Sequence, residues 1–176
     1  MKIAETGFWQ GNTESFHKFD EPLAKELCKL FKSTAVVDLG CGEGKYVKAL
    51  NEAGIVASGY DGNHNTELYQ NCKVHDLTTP LNILPVNWVL SLEVGEHIPS
   101  EHTASYINNL KRLNRNGIVL SWAIPGQGGD GHVNELPNEE VIAMFPEYSY
   151  DKKTSERLRK AATLWWFKNT IMVFKK

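Results

Sequence analysis

Residues 34–54 read TAVVDLGCGEGKYVKALNEAG. The opening is a short apolar, β-branched run, as expected of a strand buried on both faces. GCGEG then forces a turn, because glycine permits positive φ and lets a ligand come close to the backbone. Residues 45–54 follow at helical spacing and close on Gly54. Strand, glycine turn and helix in direct succession predict one unit of an α/β sheet, with the turn at the strand's carboxyl end.

Working outward, residues 20–32 form an amphipathic helix. Asp20 is its N-cap, Pro22 stands close behind, and Leu23, Leu27, Leu30 and Phe31 share one face. Residues 55–61, 73–77, 87–93 and 117–123 read as further strands. Residues 99–117 begin with Pro99 and end with Gly117, the usual helix asymmetry. The run 125–137, PGQGGDGHVNELP, is a loop. Beyond it come a short helix at 138–145, a strand with an exposed face at 147–158 and a last strand at 170–176. Residues 158–169 fit either a helix or an irregular crossover. The alternation predicts a mostly parallel sheet with helices on both faces and an antiparallel strand near one edge.

The chain has 176 residues, 41% hydrophobic and 23% charged. That fits one globular domain over 1–176, with 1–33 as an N-terminal cap and helix and 34–176 as the core. No apolar run reaches a membrane span, and MKIAETGFWQGN lacks the apolar stretch of a secretory signal. The formal net charge is −2, which argues against a nucleic-acid partner. The basic end, residues 151–176, reads as a solvated face. Cys28, Cys41 and Cys72 are odd in number and show no metal-type pairing, so a reducing cytoplasm is the expected setting.

Acidic residues stand at three successive predicted strand ends: Asp38, Asp61 and Asp76. A dinucleotide fingerprint would need glycine where Lys45 stands. DxGxGxG, carried by Asp38, Gly40, Gly42 and Gly44, instead resembles motif I of class I S-adenosylmethionine-dependent methyltransferases. The resemblance implies a Rossmann-like sheet and that cofactor. It implies contacts from Asp38 and the turn, Cys41 included, to the methionine and ribose portions. Asp61 and Gly62 would meet the ribose, the other reading of Asp61 being a cap on the turn DGN; Asp76 and Leu77 would meet the adenine, and Glu93 would border the cofactor site.

The fourth strand runs into LSLEVGEHIP and the fifth into SWAIPGQGGDGHVNE. ExxEH followed by a later histidine is similar to the metal site of small-RNA 3′-terminal 2′-O-methyltransferases and of ubiquinone-biosynthesis O-methyltransferases. That implies Glu93, Glu96, His97 and His132 as ligands of a divalent ion (Mg, Mn, Fe, Co or Zn), a mixed set that suits any of them. The spacing from His97 to His132 is shorter than in the RNA enzymes, whose substrate-binding additions are also missing. Both blocks, with the head and the tail, also resemble a group of stand-alone methyltransferase-like proteins.

The expected activity is methyl transfer to a small-molecule hydroxyl, catechol- or vicinal-diol-like, because a divalent ion lowers the pKa of a bound hydroxyl. Without a metal, His132 or His97 would be the general base of an N- or O-methyltransferase, with His17 of the head a further basic group. A non-catalytic cofactor-binding protein is the reading outside enzymes. The head aromatics Phe8, Trp9, Phe16 and Phe19 either pack the first helix on the sheet or form a lid in which Trp9 and His17 take part. Trp165 and Trp166 are either packing residues or a substrate platform. Little length is left for a substrate domain; a homodimer could supply a missing wall.

Overall fold

The computed structural model describes residues 2–13 and 16–176. It opens with a hairpin that the sequence pattern did not reveal, β1 (Lys2–Ile3) and β2 (Trp9–Gln10), paired antiparallel. Helix α1 (Glu21–Leu30) follows, with the Asp20 carboxylate accepting from the Leu23 N–H as expected of its N-cap. Then come β3 (Ala35–Leu39), α2 (Lys45–Glu52), β4 (Val56–Asp61) and β5 (Cys72–Val74). Next are β6 (Val86–Leu92), α3 (Thr103–Arg112), β7 (Asn114–Ser121) and α4 (Asn138–Ala143). The chain ends with β8 (Ser149–Tyr150), α5 (Lys152–Ala161), α6 (Phe167–Thr170) and β9 (Met172–Lys175).

Seven strands form one sheet in the order β5-β4-β3-β6-β7-β9-β8. The first five are parallel, and β9 runs antiparallel to both β7 and β8. This is the expected mixed α/β architecture. Order reverses between β3 and β6, which opens a crevice past their carboxyl ends.

Alternation along the strands explains the layers. Val36, Leu90, Val119 and Val173 belong to one core cluster, with Leu23 and Leu27 of α1, Val47 of α2 and Leu158 of α5. Val37, Val89, Ile118 and Phe174 belong to the other, with Tyr106 and Leu110 of α3 and Val141 of α4. Neighbouring strand residues therefore face opposite helical layers. The rigid central strands this creates are what fix the positions of their terminal side chains. No helix among the described residues is long and apolar enough to cross a membrane.

Two expectations are corrected. The helix expected over 99–117 spans only Thr103–Arg112, preceded by short 3₁₀ turns at Gly95–His97 and Ser100–His102. Gly117 caps nothing: it lies inside β7 opposite Lys175, where a side chain would run into the Phe174 carbonyl. The strand expected over 147–158 is only Ser149–Tyr150; α5 takes over at Lys152. The polar run had hidden a helix that buries little more than Ser155 and Leu158. Residues 158–169 are the end of α5, an irregular crossover and the start of α6.

Candidate functional site

The strand ends meet around a cavity of about 450 Å3, lined by Asp38, Asp61, Asp76, Glu93, His97 and His132 among others. The three aspartates that the sequence places at successive strand ends thus share one cleft. Gly40, Cys41, Gly62 and Leu77 also line it. Gly42 and Gly44 complete the turn with φ of 51° and 65°.

The aspartates differ in how far they are engaged. Asp61 accepts from the Gly42 N–H at 2.9 Å and the Asn63 N–H at 2.9 Å, so it clamps the glycine turn to the next strand end. Asp76 accepts from Thr6 Oγ1 at 2.8 Å and from the Thr78 N–H and hydroxyl at 2.9 and 2.7 Å. Asp38 is 3% exposed, and burial, with Cys72 and Asp61 nearby, pushes its carboxyl well above the usual range. Burial raises Asp61 too, against the N–H groups of Asn63 and Gly42. A buried acidic pair of this kind is poised for a cationic ligand group.

His97 and His132 line the same cavity, and with the buried Glu96 they offer one ligand atom each, all within 4.8 Å of one another. Glu96 is fully buried, and neither carboxylate oxygen has a hydrogen-bond partner among the described residues. Burial and the Glu93 charge push its pKa well up. His97 Nδ1 donates to the Gly131 carbonyl at 3.2 Å, and burial, with His132, lowers its pKa to about 4. His132 Nδ1 donates to Glu135 at 2.9 Å. Both rings therefore keep Nε2 as the open lone pair. An orphaned buried carboxylate beside two imidazoles is a donor set that fits a divalent ion.

Glu93 adjoins Glu96 but is not one of the three whose ligand atoms lie within 4.8 Å of one another. Its oxygens are held by Gln127 Nε2 at 2.6 Å and Thr170 Oγ1 at 3.3 Å. Its backbone is left-handed at φ 55°, strain of about 1–3 kcal/mol for a residue with a side chain. The group of four expected from the sequence is here a group of three plus a neighbour.

The tertiary reason that His132 meets His97 lies in the backbone. The Val133 and Asn134 N–H groups both donate to the Glu96 carbonyl, at 2.9 and 3.0 Å. Trp122 Nε1 donates to the Asn134 carbonyl at 2.6 Å, tying the loop to the end of β7.

The head crosses the top of the cleft. Trp9 stacks on His17 at 5.2 Å between centroids and meets His97 edge-on at 5.2 Å. The Phe8 ring lies against Gly62. A Cβ on Gly42 would stand 2.6 Å from the His17 ring, so this glycine makes room for the protein's own head. Lys45 donates to the His17 carbonyl and pairs with Glu43, each at 2.9 Å, and pins the segment down. Trp165 and Trp166 also line the cavity.

Sequence reading missed Thr6, Gln127, Thr170 and Glu135. Glu135 had a signal, since it stands three residues after His132; the other three contacts join segments too distant in sequence to read.

No family model matches the chain, and neither does any curated protein. Solved structures do. The chain is similar to TehB from Haemophilus influenzae, with TM-score 0.69 and 16% identity over 93% of this chain; it spans 65% of that protein's length. It is similar to a SAM-dependent methyltransferase from Archaeoglobus fulgidus, with TM-score 0.65 and 16% identity over 93% of this chain and 97% of the other. A third is magnesium protoporphyrin IX methyltransferase from Synechocystis with bound SAM, with TM-score 0.60 and 18% identity over 87% and 74% of the two chains. At these identities the similarity carries the fold, which is the Rossmann-like arrangement of class I methyltransferases.

Proposed function

We propose that the chain is an S-adenosylmethionine-dependent methyltransferase acting on a small-molecule hydroxyl, catechol- or vicinal-diol-like, with help from a divalent ion. One observation carries the reading: three strand-end aspartates line a single cleft with His97 and His132, and the buried Glu96 offers a ligand atom within 4.8 Å of both imidazoles. Bound SAM in a structural neighbour supports the cofactor. Asp38 would receive the methionine ammonium, Asp61 the ribose hydroxyls and Asp76 the adenine amine. Glu96, His97 and His132 would hold the ion, with Glu93 beside them as a second carboxylate.

When bound, the ion supplies Lewis acidity that lowers the pKa of a coordinated hydroxyl, and the sulfonium supplies an already activated methyl group. The protein's part is placement. Three protein ligands leave coordination positions for acceptor oxygens. The Trp9 and Phe8 lid narrows the cleft, which favours in-line approach and limits water.

A metal-independent N- or O-methyltransferase is the second reading. It is favoured by the engagement of Glu93 elsewhere, which leaves His132 Nε2 as a candidate general base. Calorimetry with SAM, then a methyl-transfer assay on catechols treated with EDTA and resupplied with Mg, Mn or Co, tests both. Cofactor binding with metal-restored activity is expected, and Glu96→Gln abolishes the restoration. Activity indifferent to EDTA leaves the second reading; absence of SAM binding sinks both.

A further inference from the structure

We infer that Glu135 is a positioning residue: its carboxylate knots the glycine loop and sets the His132 ring with Nε2 as its open nitrogen. The inference deepens the proposed function, since it concerns how His132 is presented as a ligand or base.

Residues 126–131 hold four glycines, and Gly126, Gly128, Gly129 and Gly131 all have positive φ. Such a segment has the largest conformational freedom to lose on ordering. Yet a functional imidazole must be held within about 0.5 Å to serve one geometry. Gln127 ties the loop to Glu93 at 2.6 Å, but the contact that reaches the His132 ring itself comes from Glu135. Its Oε2 accepts from the Gly126 N–H at 2.7 Å, and its Oε1 accepts from the Gly128 N–H at 2.7 Å and from His132 Nδ1 at 2.9 Å. One side chain therefore closes the loop at three points.

The chemistry of this contact also selects a tautomer. An ionised carboxylate only accepts, so His132 Nδ1 must carry the proton. The two glycine N–H groups that also donate to this carboxylate hold it in the acceptor role. A carboxylate behind an imidazole is the arrangement that fixes a histidine's tautomer and ring orientation.

Glu135 is itself anchored on both sides. Its neighbour Asn134 donates to the Glu96 carbonyl and accepts from Trp122, and the Leu136 N–H donates to the Ala123 carbonyl at 3.0 Å. The restraint on His132 is thereby referred to the end of β7 and to the turn that carries Glu96 and His97. Loss of Glu135 would free the ring while the strand ends stay where they are.

The test reads the ring directly. In protein labelled with ¹⁵N-histidine, two-bond ¹H–¹⁵N correlation at about pH 8, above the imidazole range, reports which nitrogen of His132 is protonated; His132→Gln assigns the signal. The expected result is the Nδ1–H tautomer in the wild type, its loss to a mixture in Glu135→Ala, and its retention in Glu135→Gln, whose amide oxygen still accepts. Mn titration of the same samples is expected to weaken about 10–100-fold in Glu135→Ala and less in Glu135→Gln. An Nε2–H tautomer in the wild type overturns the inference without any variant. So does an unchanged tautomer in a folded Glu135→Ala. If the wild type binds no Mn but the tautomers behave as expected, the positioning stands and only the metal reading fails.

Discussion

Asp38 illustrates what a single buried acid costs and why it is kept. It is almost fully buried, and burial with Cys72 and Asp61 nearby raises its pKa. A carboxyl whose folded pKa lies above its unfolded value stabilises the protein below the unfolded pKa, and that contribution is lost as pH rises through the folded pKa. At neutral pH the free protein therefore bears a penalty. Asp38→Asn is expected to melt at an equal or higher temperature without ligand, with less loss of stability between acid and neutral pH. The same variant is expected to bind SAM about 10–100-fold more weakly, the loss of a charged hydrogen bond of about 1.5–3 kcal/mol. Scanning calorimetry and titration calorimetry on one preparation check both halves. A variant that loses stability and keeps affinity would place Asp38 in the scaffold instead. Glu96 poses the same problem more sharply, since its two buried oxygens lack partners among the described residues. Both acids were legible because Asp38 stands near the end of a buried apolar strand and Glu96 just past one. Glu93 was legible as an acid at a strand end, but its attachment to Gln127 and Thr170 was not, because those residues lie 34 and 77 positions away.

Strands β3, β4 and β6 and helices α1 and α2 follow from local pattern, because apolar runs and caps are written in consecutive residues. Helix α5 does not. Its ten residues, Lys152–Ala161, present a narrow apolar stripe, so its stability leans on its ends. Asp151 accepts from the Thr154 N–H at 2.9 Å and hydroxyl at 2.7 Å and pairs with Lys175 at 2.6 Å, linking the helix to β9. Burial opposes its ionisation, but Lys175 and Thr154 outweigh that and hold its pKa at about 2, against an ordinary 3.8. A depressed folded pKa stabilises above the unfolded value and loses that stability as pH falls through the folded one. Asp151→Ala is therefore expected to cost about 0.5–2 kcal/mol at neutral pH. The gap between variant and wild type should close as pH drops from about 4 to 2, because the wild-type carboxylate is then protonated. Urea melts across that range measure it; a gap independent of pH would assign the cost to packing alone. The head hairpin escaped sequence reading for a related reason. Two-residue strands carry no period, and β1 and β2 are fixed by pairing and by what lies beneath them.

The whole molecule gathers two chemically distinct groups at one cavity, and ligands that bind only this folded arrangement must stabilise it. S-adenosylhomocysteine at 100 times its dissociation constant is expected to add about 2.7 kcal/mol, or about 5–11 °C in melting temperature for a chain of this size. Thermal scans with S-adenosylhomocysteine and with NAD check this. A shift with NAD alone would contradict the proposed cofactor. By itself the sequence determined the α/β class, the parallel core with an antiparallel strand near its edge, and the acids at successive strand ends. Those features depend on residues adjacent in the chain: periodicity, turn glycines and strand-terminal side chains. Tertiary structure decided which expected ligands meet. It brought His132 to Glu96 and His97 through backbone hydrogen bonds, drew Glu93 toward Gln127 and Thr170, and folded Trp9 and His17 over the cleft. Those outcomes depend on loops whose path is set by what they pack against, and no local pattern encodes that.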